Sequence, residues 1–206
     1  GLQLDFSIDR DTGELSGTFG DGLAETAVVE AQRSPWSESS HPATAYAGVY
    51  TNAMEPRAPW INDLAYPQGN GYGWLAVNQG GGASVSAVLA DGTKVTQAAR
   101  LTSTGRLAFH LAAYRGTGSV QGWALITPGT PSAYVDSTIT GLVDWFKAGP
   151  SSGRGYASGF APHGLDVIGG KYLAPGIGDL ILGLPDQADN AQIVFSGARI
   201  EQSSFA

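Results

Sequence analysis

The stretch Leu2-Gln-Leu-Asp-Phe-Ser-Ile-Asp-Arg-Asp-Thr-Gly-Glu-Leu-Ser-Gly-Thr-Phe19 sets the pattern for the whole chain. Leu2, Leu4, Phe6 and Ile8 alternate with polar neighbours. Asp9 to Gly13 interrupts the alternation, and Leu15, Gly17 and Phe19 resume it. A period of two around a Thr-Gly turn reads as a β-hairpin, because successive side chains of a strand point to opposite faces. Asp11-Thr12-Gly13 suits the turn: Asp bonds its own backbone and Gly accepts positive φ.

Moving outward, the same pattern recurs. Val85 to Leu89, Asp91-Gly92 and Val95 to Leu101 read as a second hairpin, and Leu101, Ser103-Thr-Gly105 and Leu107 to Leu111 as a third. Gly118 to Ile126 and Ile139 to Lys147 are strands sharing a Gly-x-apolar-x-Trp cadence, and Asp179 to Leu184 and Gln192 to Ile200 complete the set. No window of twelve or more residues has helical periodicity. The spacing drifts too much for a propeller or solenoid. The expectation is one all-β domain over 1–206, an antiparallel closed or nearly closed barrel of about twelve strands, with a β-sandwich as the alternative. Closure is preferred because evenly spaced hairpins must somehow lose their sheet edges. Residues 33–44, 53–70, 148–164 and 185–190 read as polar, proline-bearing loops, the places where a rigid scaffold carries function.

Composition narrows the function classes. Thirty of 206 residues are glycine, about twice the usual ~7%, with no Gly-X-Y period, which suits many turns and excludes collagen. Only 14% are charged and the formal net charge is −7. Such a surface repels phosphate backbones and anionic lipid, so neither a nucleic-acid partner nor membrane insertion is expected. No apolar run approaches the ~18 residues of a spanning helix. Without cysteine, disulfides, thiolate zinc sites and cysteine nucleophiles are excluded. Gly1 to Phe6 already reads as strand and no signal peptide precedes it, so the chain is expected to be excised or processed from a longer precursor.

The order of several motifs carries a resemblance. Phe6 to Phe19, Tyr46-Ala-Gly-Val-Tyr50, Gly71-Tyr-Gly-Trp-Leu75, Leu89-Ala-Asp-Gly-Thr93, Gly118-Ser-Val-Gln-Gly-Trp123, Gly141-Leu-Val-Asp-Trp-Phe-Lys147 and Tyr156-Ala-Ser-Gly-Phe160 follow one another along most of the chain. This succession resembles a group of uncharacterised β-rich domains towards the C-terminal ends of large secreted bacterial surface proteins. The resemblance implies export, an extracellular or cell-surface location and the role of an appended module, and brings no catalytic residues with it.

Candidate chemistry is sparse. His41, His110 and His163 show no metal-ligand spacing. His110 reads as a sheet residue, His41 and His163 as loop residues. No Gly-x-Ser-x-Gly elbow is present, and a Ser158, His163, Asp166 triad can be written but not argued. Glu30, Glu55, Asp63 and Asp144 are acids outside obvious turns, available to a glycosidase pair. Asp9-x-Asp11-x-Gly13 matches the opening of a calcium loop but lacks the closing Glu, since residue 20 is Gly. Asp186 to Asn190 is a second acidic turn. No cofactor is expected, structural calcium at either turn being the one alternative.

The aromatic residues point further. Trp36, Trp60, Tyr66 and Tyr72 stand in or beside the long loops, with Asp63 nearby. Flat rings stack on sugar faces while Asn, Gln and Asp bond hydroxyls; the competing use is to fold back and plug a barrel end. Trp74, Trp123 and Trp145 are expected in the core. The leading expectation is a secreted, non-catalytic module binding carbohydrate or cell-surface polymer through Trp36, Trp60, Tyr66, Tyr72 and Asp63. A glycan- or ester-cleaving hydrolase drawing on His41, Glu55, Asp63, His163 and Asp166 is the second reading, and a structural spacer the third.

Overall fold

Alternation of buried and exposed side chains organises the chain in a computed structural model that describes residues 1–22, 26–130, 136–150, 155–171, 177–178, 186–190, 192–197 and 200–205. The chain forms two compact units, Gly1–Tyr172 and Leu173–Ala206. In the first, β1 (Gln3–Ile8), β2 (Glu14–Gly20) and β3 (Thr26–Gln32) make a three-stranded antiparallel sheet. Eight further strands follow: β4 (Gly48–Pro56), β5 (Gly71–Val77), β6 (Gly82–Val88), β7 (Lys94–Arg100), β8 (Arg106–Ala113), β9 (Gly118–Thr127), β10 (Ser137–Lys147) and β11 (Phe160–Lys171). The second unit contains the hairpin of β12 (Ile193–Gly197) and β13 (Ile200–Phe205).

The eight strands form a nearly closed meander barrel. Neighbours pair antiparallel from β4 to β7 and from β8 to β11, and β11 returns to pair with β4, from Gly170 opposite Thr51 to Leu165 opposite Pro56. One seam lacks a ladder, between β7 and β8. There the Gln97 side chain substitutes for a peptide group: its Nε2 donates to the Ala108 carbonyl at 3.1 Å, and its Oε1 accepts from the His110 N–H at 2.7 Å. Eight strands enclose just enough space for side chains to fill. Tyr50, Leu75, Leu107, Leu111, Val120, Ile139, Trp145 and Val167 do so, all buried, each contributing ~1.5–3 kcal/mol for full burial.

Turns follow their sequence signals. Gly13, Gly92 and Gly105 take positive φ (71°, 84° and 82°) between β1 and β2, β6 and β7, and β7 and β8. A Cβ on Gly105 would lie 2.6 Å from the Tyr46 ring, so the turn needs glycine for space as well as conformation.

Several expectations are corrected. Residues 53–56 belong to β4 and 160–164 to β11 rather than to loops, because Met54 and Leu165 are inward-facing core residues. Gln192 to Ile200 divides between β12 and β13, and the strand expected at Asp179 to Leu184 lies outside the described residues. The described strands number thirteen in three sheets, eight of them in the barrel. Of the three tryptophans expected inside, Trp145 is buried, whereas Trp74 is 47% exposed and Trp123 half-buried on the outer wall. Leu75 and Val77 on β5 and Ala124 and Ile126 on β9 face inward, so the period of two sends both indoles outward. Gly73 shares the inward parity of Leu75, and a side chain there would lie 2.7 Å from the Ser86 carbonyl.

Candidate functional site

The long loops that carry most of the expected aromatics cap opposite ends of the barrel. Residues 33–47 lie with the 78–81 and 101–105 turns, since Trp36 Nε1 donates to the Thr102 carbonyl at 2.9 Å and its ring lies against Gly81. Trp36 stacks on His41 with ring centroids 5.0 Å apart and planes 8° from parallel. Residues 57–70 lie at the other end, where Tyr66 and Trp60 turn their rings towards His163. Trp36, Trp60 and Tyr66 are therefore half-buried and do not share a surface. Asp63 is exposed, its Oδ1 accepting from the Ala65 N–H at 3.0 Å.

Tyr72 behaves differently. It is 58% exposed and points outward from β5 with Trp74 two residues on. Residues two apart on a strand share a face about 6.8 Å apart. Their cross-strand neighbours are short or hydroxylic side chains and one valine: Thr51 and Ser86 beside Trp74, Ala53 and Val88 beside Tyr72. Both rings thus stand clear of the wall.

One strand beyond Ala53 begins a groove of about 520 Å³ along the outer wall. Ile168 and Asp166 from β11, Thr140 and Leu142 from β10, and Trp123 and Leu125 from β9 form its floor. Glu55 stands directly opposite Asp166 in the β4–β11 register and receives a hydrogen bond from Asn70 Nδ2 at 3.2 Å. Like charges at directly opposed positions cost stability, so fold stability alone does not favour this pair. At the far end the Arg106 guanidinium lies 4.4 Å above the Trp123 ring. Arg106 and Trp123 also line a second recess of about 380 Å³ against the polar face of the three-stranded sheet, with Ser16, Glu14, Glu30 and Gln32. Gln32 Oε1 accepts from Thr104 Oγ1 at 2.9 Å, tying that sheet to the barrel.

The other candidates separate. His163 faces inward from β11 while Asp166 faces the groove, and Ser158 is exposed in the preceding segment, so no triad forms. His110 is exposed on β8. Asp9 Oδ1 accepts the N–H groups of Asp11 and Thr12. The Thr12 and then the Asp11 N–H bond hold its carboxyl below the usual carboxylate range, and the carboxylate serves the hairpin turn. No group of three His, Asp or Glu side chains among the described residues could hold a metal ion. No helix among them is long and apolar enough to cross a membrane.

Sequence reasoning singled out Tyr72 and missed Trp74, Trp123 and the groove. The missing signal was parity: once Leu75 and Val77 are assigned inward, Tyr72 and Trp74 must face out together. Comparison with family models, curated proteins and solved structures finds no match, so the candidate site rests on this geometry alone.

Proposed function

We propose that this chain is an exported, non-catalytic module that binds a glycan or comparable surface polymer on the outer wall of its barrel. The observation that carries the reading is the pair Tyr72 and Trp74, exposed together on β5 beside Thr51 and Ser86. Exposed aromatic faces offer large contact area at low entropic cost, and neighbouring hydroxyls supply orienting hydrogen bonds. Asn70, Glu55 and Asp166 continue the polar contacts into the groove. This moves the binding surface from the loop aromatics to the sheet, with Tyr72 common to both. The motif order seen in the sequence supports export.

Affinity electrophoresis through gels of immobilised polysaccharides, preceded by a glycan array, tests it. A retarding polysaccharide is expected, with Tyr72→Ala and Trp74→Ala each weakening binding about tenfold, the loss of ~1.4 kcal/mol suited to one stacked ring. Full retention by the double variant would refute the reading. Glu55 and Asp166, two of the five hydrolase candidates, do meet in one groove, which keeps the hydrolase as the second reading. They project side by side from one sheet rather than across a cleft. That reading requires new reducing ends from the bound glycan, abolished in Glu55→Gln.

A further inference from the structure

We propose that residues 57–70 form a lid over one end of the barrel, released when His163 takes up a proton. His163 is wholly buried, and neither ring nitrogen makes a hydrogen bond of good geometry among the described residues, although the Trp145 backbone acts on the ring. Four aromatic rings box it in. Trp145 (5.3 Å between centroids) and Phe160 (5.2 Å) belong to β10 and β11, Tyr66 (5.0 Å) and Trp60 (6.2 Å) to the lid. A neutral imidazole with both nitrogens unpaired is already costly in such a box, and an imidazolium needs water or an acceptor still more.

The lid is built to leave in one piece. Gln68 Nε2 donates to the carbonyls of Trp60, Asp63 and Tyr66, and its Oε1 accepts from the Asn62 N–H at 2.6 Å, so one side chain holds the segment to itself. Among the described residues its hydrogen bonds to the rest of the barrel end are few: Tyr156 Oη to the Tyr66 carbonyl at 2.8 Å, the Arg57 N–H to the Gly164 carbonyl at 3.3 Å, and Asn70 to Glu55. The walls from β10 and β11 are fixed by ladder bonds, with Trp145 directly opposite His163. Water reaches the ring most readily by displacing the lid.

The charged and titratable groups around the box set the balance. On the lid, Arg57 packs over Gly164 beside Trp60, while Asp63 is exposed. On β10, Asp144 favours the imidazolium, and Lys147 is tied to the Gly155 carbonyl and lies over the Tyr114 ring. Asp166 on β11 faces the outer wall. The Tyr66 ring faces the imidazole directly, and the Tyr156 ring packs on Phe160. Desolvation leads and lowers the pKa of His163, which keeps the box shut at neutral pH.

Hydrogen exchange of the whole chain, corrected for intrinsic rates and compared at about pH 7.5 and about pH 5, tests the lid. Protection of the Arg57 amide, the lid N–H that donates to the barrel at the Gly164 carbonyl, is expected to fall roughly tenfold at the lower pH while the β10 and β11 ladder amides hold. His163→Phe, which fills the box with a fifth ring, should keep the lid shut at both. Equal loss in that variant, or no loss in the native chain, overturns the proposal. Should the variant not fold, imidazole proton resonances of the native chain decide. One midpoint shared by His163 and the lid supports the trigger, and separate midpoints overturn it.

Discussion

Tyr114 does more at its barrel end than its place in a three-residue turn between β8 and β9 suggests. It sits at positive φ (53°), and its hydroxyl donates to Asp91 Oδ2 at 2.6 Å and accepts from Trp145 Nε1 at 3.1 Å. One oxygen thus joins the β6–β7 turn to the largest buried side chain. Burial first, then the Asp91 bond and charge, raises its pKa well above the ordinary phenol value. Tyr114→Phe removes that oxygen and leaves the Trp145 N–H without its acceptor. The expected cost is ~1–3 kcal/mol in urea unfolding, against under ~0.5 kcal/mol for an exposed control such as Thr96→Ala. None of this was visible in the sequence, where Ala113-Tyr114-Arg115-Gly116 marks only a turn and the bond partners stand 23 and 31 residues away. The outward placement of Tyr72 and Trp74 was legible in principle, since alternation on β5 needs one inward anchor. The expectation failed at Trp74 because hydrophobicity was allowed to outrank parity.

At the level of elements, hairpins with local turn signals were readable, and Asp91-Gly92 and Ser103 to Gly105 fall where Gly takes positive φ. Pairings set by closure were not. The return of β11 to β4 joins residues more than a hundred positions apart, and no local signal encodes it. The β7–β8 seam is the same problem in small: the turn between them is correct, yet the strands do not ladder, and one glutamine spans the gap. Gln97→Ala should leave the Ala108 carbonyl and the His110 N–H to water. Both lie near the surface, so the stability cost should be modest, ~1 kcal/mol. The informative readout is local. Hydrogen exchange at the His110 amide should quicken while β10 and β11 amides stay protected; unchanged exchange at His110 would show that the seam is closed by other means.

For the molecule as a whole, apolar surface is divided unequally. The barrel core is complete, whereas the three-stranded sheet leaves Leu4, Phe6 and Ile8 exposed on one face. Global stability therefore belongs to the barrel and should answer to groups inside it. Among the described residues inside it, His163 carries a fully buried imidazole. Burial lowers its pKa below the ordinary 6.5, with the Trp145 backbone and the Asp144 charge acting the other way without giving either nitrogen a hydrogen bond of good geometry. The unfolded chain then holds more protons than the folded one between the folded-state value and 6.5. Stability is complete above 6.5, declines as pH falls from there to the folded-state value, and is flat with respect to this group below it. Urea midpoints measured through that window should fall for the native chain, and His163→Phe should remove most of the slope. If the variant keeps the full slope, the acid sensitivity arises from carboxylates on the surface, and the buried histidine is thermodynamically silent.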